Sequence, residues 1–93
     1  MASVQVMPRR TTRSPEGQLF GDALRVMRKE RGLSQEALAE RADMAADYLG
    51  FIERGENVPT LTIILKLAIA LDCTPAELLA DFSPAALRRL KLI

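Results

Sequence analysis

The sequence contains no histidine and a single cysteine, Cys73. Without histidine, imidazole acid–base catalysis and histidine-ligated metal sites are excluded. One cysteine can form neither an intrachain disulfide nor a cysteine-only zinc site, and a lone thiol suits a reducing cytosol. Long apolar runs are missing too. A membrane span needs roughly 18–20 such residues, and the longest stretch, Leu61 to Leu71, is interrupted by Thr62 and Lys66. No apolar signal core opens the chain: Met1 to Met7 is short and mixed and precedes Arg9, Arg10 and Arg13. There is no glycine-rich phosphate loop, and no Ser or Cys nucleophile has a candidate base. These absences predict a soluble cytoplasmic protein that is not an enzyme, with no cofactor, no metal, no membrane contact and no small-molecule ligand.

An excess of one charge is also lacking. Thirteen Lys and Arg against twelve Asp and Glu leave a net charge of +1, which marks neither a polycation nor an acidic tail. What is present is ordinary globular material: 93 residues, 48% hydrophobic and 27% charged. That length makes one domain with a modest core.

Residues 1–13 show no helical or strand period and carry Arg9, Arg10 and Arg13 without an acid, a flexible basic arm by pattern. Ser14-Pro15-Glu16 then starts a helix with a cap, a first-turn proline and an acid. Phe20, Ala23, Leu24 and Met27 give it one apolar face, and Gly32 stops it. Ser34 caps a second helix with Leu38, Ala39 and Ala42 inward. After a break at Asp43-Met44, a third runs from about Ala46 to Arg54 with Leu49 and Ile52 inward, and Gly55 ends it. Thr60 caps a fourth, Leu61 to Leu71, whose stripe is read as Ile64, Leu65, Ala68 and Leu71. Thr74-Pro75-Ala76-Glu77 is a capping box for a fifth helix ending near Phe82. Ser83-Pro84 starts a last short helix with Leu87, Leu90 and Leu92. No segment patterns as a strand. The organisation expected is an arm (1–13), an all-α domain of five helices (14–82) and a C-terminal helix (83–93) that is a candidate dimerisation element.

Residues 35 to 54 are two short helices across a tight break, the helix-turn-helix pattern. Ala39 is the small residue that two steeply crossing helices need. The literal sequence goes further. Leu33-Ser34-Gln35-Glu36-Ala37-Leu38-Ala39, Tyr48-Leu49-Gly50, Ile52-Glu53-Arg54-Gly55, Pro59-Thr60-Leu61, Lys66-Leu67-Ala68 and Ala70-Leu71 resemble, in order and spacing, the Cro/cI-type (Xre) helix-turn-helix family across about residues 18–80. The stretch from Gly50 to Gly55 is also similar to the controller proteins of bacterial restriction-modification systems. The resemblance implies a lambda-repressor-like fold and a DNA-binding transcriptional regulator. It implies that Ser34 and Gln35 start a helix against a DNA phosphate, with Tyr48, Arg54, Asn57 and Thr60 on the backbone at the other side. It implies that the third helix enters the major groove with Ala45, Ala46, Asp47 and Phe51 nearest the base edges. It also implies an ion pair between Arg28 and Glu53 that locks the first helix to the third.

Several positions depart from that family. Typical members carry Ser, Arg, Gln or Thr where this chain has Ala45, Ala46 and Asp47, and Asp43 replaces a glycine in the turn. Charge departs as well. Residues 34–57 hold Glu36, Glu40, Asp43, Asp47, Glu53 and Glu56 against Arg41 and Arg54, a local net of −4. Arginines of the arm, together with Asp47 accepting from a cytosine amino group, would reconcile this with DNA binding. The competing reading is a protein–protein interaction module on the same fold. A single domain covers few base pairs, so a homodimer on a palindromic operator is expected. Its contact is assigned to Leu78 on the fifth helix and to Leu87, Leu90, Leu92 and Ile93. The alternative is that this stripe folds back on the monomer core.

Overall fold

Five of the helices start on a hydroxyl that accepts a hydrogen bond from the first turn. Ser14, Ser34, Thr60, Thr74 and Ser83 accept from the amides of Gly17, Ala37, Ile63, Glu77 and Ala86. At Thr74 the box closes, because the Thr74 amide donates in turn to the Glu77 carboxylate at 2.8 Å. A computed structural model describes residues 13–93. Among them are six α-helices and no strand: α1 (Pro15–Glu30), α2 (Gln35–Arg41), α3 (Ala46–Glu53), α4 (Leu61–Leu71), α5 (Pro75–Leu78) and α6 (Pro84–Leu90). Arg9 and Arg10 lie outside the described residues.

Helix α3 is the exception at its start. Its N-cap is Ala45, which offers no side-chain hydrogen bond, and Asp47 is the only acid in the first turn. Ala45→Ser is expected to supply the missing acceptor and stabilise the fold by about 1 kcal/mol. Thermal unfolding followed by circular dichroism should then rise by about 4–8 °C. An unchanged melting temperature would show that the turn already satisfies those amides.

Helix ends were less legible than starts. Asp43, Asp72 and Lys91 take left-handed geometry, with φ of 56°, 56° and 54°. Aspartate tolerates this better than most residues, which is how the α2–α3 turn survives without glycine. Helix α5 is shorter than the sequence suggests: it ends at Leu78 rather than near Phe82. The chain continues in single turns, with the Phe82 amide on the Leu79 carbonyl at 3.0 Å. That tighter path brings Leu79 and Phe82 as well as Leu78 against the core.

The core joins Phe20 and Leu24 of α1, Leu38 and Ala39 of α2, Leu49 and Ile52 of α3, and Leu67 and Leu71 of α4. The stripe expected on α4 was partly misplaced. Leu67 is fully buried, whereas Leu65 is 42% exposed. Leu61, Leu65 and Ile69 form a second ridge at i, i+4, i+8 that faces outward. A helix apolar on nearly all sides has no polar face to fix its rotation, so only packing chooses the buried ridge.

Two assignments at the C-terminus are corrected. Leu78 is 0% exposed and belongs to the core of the single chain, so it cannot serve a dimer surface. Leu92 lies beyond α6, which stops at Leu90. Helix α6 lines an open cleft with the first turns of α1; Ala86 is buried and Leu90 half-buried, while Leu87, Leu92 and Ile93 remain exposed. Helices α1 and α3 are in direct contact. They meet at Gly21, whose bare Cα faces the backbone of Ile52 and Glu53. That approach holds α3 in place for the site described next.

Candidate nucleic-acid interface

Helices α2 and α3 and the turn at Ala42–Ala45 stand on one side of the molecule, anchored from behind by a buried ion pair. Arg28 Nε and Nη2 donate to Glu53 Oε2 and Oε1 at 2.6 and 3.0 Å, and Nη1 donates to the Leu33 carbonyl at 2.8 Å. Both residues are buried, at 7% and 2% exposure. Such a two-pronged fork fixes orientation as well as distance. The Glu53 hydrogen bonds raise the Arg28 pKa, against the opposing effect of burial, and the guanidinium stays charged. Gln35 joins the network, its amide donating to Glu53 Oε1 at 3.0 Å. One carboxylate therefore ties α1, α2 and α3 together. That Gln35 would bond inward was not legible in the sequence, where it figured only as a phosphate contact.

The remaining candidates divide by exposure. Ser34, Ala45, Asp47, Arg54 and Thr60 are exposed, and Asn57 and Phe51 are half-buried. Ser34 and Thr60 spend their hydroxyl acceptors on capping α2 and α4. Ala46 and Tyr48 pack partly against the core, so only part of each faces outward. Arg54 lies over the Phe51 ring, its Cζ 5.1 Å from the centroid. Its Nε donates to Glu56 Oε1 at 3.2 Å. Arg13, the last arginine of the arm, reaches the other oxygen of Glu56 at 3.9 Å. Arg13 thus lies beside the turn that follows α3.

Pairing changes the charge count of this face. Glu53 is neutralised by Arg28, and Glu56 is shared by Arg13 and Arg54. Glu36, Glu40, Asp43 and Asp47 remain exposed with Arg41. Two arginines on and just after the first helix are engaged by partners. Arg25 pairs with Asp22 at 3.1 Å, and Arg31 donates to the Leu71 carbonyl at 2.6 Å, where it satisfies the C-terminal end of α4. Long arginine side chains find backbone acceptors that only the fold brings near. Cys73 is half-buried, and burial pushes its thiol pKa up, the direction of an unreactive filler. Among the described residues no three His, Cys, Asp or Glu side chains converge as a metal site requires. No helix among them is long and apolar enough to cross a membrane.

Comparison with known proteins gives this geometry a context. The helix-turn-helix family matches residues 24–78. An HTH-type transcriptional regulator of Sinorhizobium fredii, y4dJ, is 37% identical over 60 residues, covering 64% of this chain and 78% of its own. The restriction-modification controller protein C.AhdI from Aeromonas hydrophila superposes with a TM-score of 0.67 at 46% identity, over 68% of this chain and 96% of its own. The P22 c2 repressor, solved in complex with a synthetic operator, superposes with a TM-score of 0.61 at 33% identity, over 66% of this chain and 92% of its own.

Proposed function

Because the chain belongs to the Cro/cI-type helix-turn-helix family of DNA-binding transcriptional regulators, we propose that it acts in the cytoplasm as a homodimer on a palindromic operator, with its own promoter among its targets. The observation that carries this reading is the Arg28–Glu53–Gln35 network, which ties the C-terminal end of α3 to α1 and α2 while Asp47 stays exposed in its first turn. A reading helix needs that fixed pose, because base contacts demand placement within a fraction of an ångström.

In this reading α3 lies in the major groove. Asp47 accepts from a cytosine amino group, Phe51 and the exposed part of Ala46 pack on thymine methyls, and Ala45 approaches the bases at the helix start. Ser34, Gln35, Tyr48, Arg54, Asn57 and Thr60 position the phosphate backbone. Arg9, Arg10 and Arg13 add charge from the arm. Leu87, Leu90, Leu92 and Ile93 supply the dimer contact, and a two-fold axis spaces the half-sites by about 34–36 Å.

The test is a titration of DNA from upstream of its own gene across a salt series, with sedimentation counting chains per duplex. Salt-sensitive binding of two chains is expected. Asp47→Ala should relax the preference at one base pair by about 1–3 kcal/mol. A uniform gain on every sequence would show that Asp47 merely repels phosphate. The exposed carboxylates Glu36, Glu40, Asp43 and Asp47 favour a second reading, a protein–protein interaction module. Absence of salt-sensitive binding to any duplex would select it.

A further inference from the structure

Gly50 leaves a gap on α3, and a charged side chain covers it, so that Gly50 is buried. A Cβ at residue 50 would lie 3.1 Å from Nη1 and 3.9 Å from Cζ of Arg54. The same point is 3.9 Å from Oε1 of Gln35. The Arg54 guanidinium is therefore folded back along the helix, over bare backbone. Two contacts keep it there. The Phe51 ring lies under it at 5.1 Å, and Glu56 accepts from its Nε at 3.2 Å. Glu56 is a firm support, because its side chain is only 15% exposed. The Arg54 side chain is still 48% exposed, so the guanidinium is held and yet open to a ligand.

Arginine ordinarily loses much rotamer freedom when it grips a phosphate, and one already held loses less. The surrounding face makes such a cation matter, since four exposed carboxylates oppose a polyanion there. Resting on the DNA reading above, we propose that Gly50 is a positioning residue. Its missing side chain lets Phe51 and Glu56 hold Arg54 as a pre-ordered seat for one DNA backbone phosphate. This deepens the Arg54 assignment: the contact depends on an atom that the sequence leaves out.

The experiment compares the full chain with Gly50→Ala, Arg54→Ala and the double variant. The probes are a duplex from upstream of its own gene and a mixed-sequence duplex of equal length, each across a salt series. Gly50→Ala should melt no lower than the parent, because alanine outranks glycine inside a helix and the Arg54 tip can yield. It should bind both duplexes about threefold more weakly, with a salt slope shallower by up to about one phosphate. On the Arg54→Ala background it should change nothing. The Nε–Hε resonance of Arg54 should be dispersed and slow to exchange in the parent, and collapse in Gly50→Ala. An undiminished penalty on the Arg54→Ala background, or unchanged binding by Gly50→Ala, overturns the positioning role alone. Weaker binding confined to one duplex overturns the phosphate seat, since a phosphate contact is blind to sequence. A parent that binds neither duplex in a salt-sensitive way removes the DNA reading itself.

Discussion

Replacing Gly21 by alanine should unfold the domain at temperatures where the parent is folded. A Cβ at this position would lie 2.6 Å from the Glu53 carbonyl oxygen and 2.9 Å from its carbon, with the Ile52 carbonyl closer still. All three obstacles are backbone, so no side chain can rotate to make room. The whole of α3 would have to move, and α3 carries Leu49 and Ile52, both fully buried. In a helix interior, glycine to alanine ordinarily gains about 0.5–1 kcal/mol. Here overpacking, which typically costs about 1–3 kcal/mol and more against rigid neighbours, reverses the sign. We expect a net loss of about 3 kcal/mol or more, and a melting temperature lower by over about 12 °C. Thermal unfolding followed by circular dichroism checks it. A Gly21→Ala variant that melts within a few degrees of the parent would show that α1 and α3 do not approach at this point.

Glu53→Ala should be comparably damaging for a different reason. It removes the carboxylate that pairs with Arg28 and accepts from Gln35. Arg28 would be left buried with only the Leu33 carbonyl as partner. An unpaired buried charge costs roughly 3–5 kcal/mol, more than the intact pair contributes. The asymmetry gives the prediction its control. Replacing both partners with leucine should recover much of the loss, because two apolar groups need no compensation. Urea denaturation of Glu53→Ala and of the double variant reads both values. A single variant as stable as its parent would mean that the fork carries no orientation.

The two predictions touch the same contact from opposite sides. Gly21 brings α1 onto α3 sterically, and Arg28 fastens it there electrostatically, seven residues further along the same helix. The fork was legible because the family resemblance names its two positions. Gly21 was not, because the absence of a side chain leaves no periodicity to detect, and the residue it must avoid lies over thirty positions away. Gly50 escaped notice in the same way. The α4 register escaped for the opposite reason. In Leu61 to Leu71 too many residues are apolar, so the pattern admits Leu65 as readily as Leu67. The boundary of α5 failed because a capping box marks where a helix begins, and nothing comparable in Leu79 to Phe82 marks where it ends.

What the sequence determined alone was local or compositional. The absence of histidine and the single cysteine closed off imidazole catalysis, histidine-ligated metal sites and cysteine-only zinc sites. Hydroxyl caps set five helix starts to the residue, because a cap and its amide are only three positions apart. The ordered motifs from Leu33 to Leu71 are enough to point to a family. What only the tertiary structure decided was where long side chains go. Arg31 found the Leu71 carbonyl at the end of α4, Leu78 turned from a surface into a core residue, and Gln35 from an outward amide into a partner of Glu53. The physical reason is the same in each case. A side chain bonds to the nearest partner in space, and the chain must fold before that partner is near.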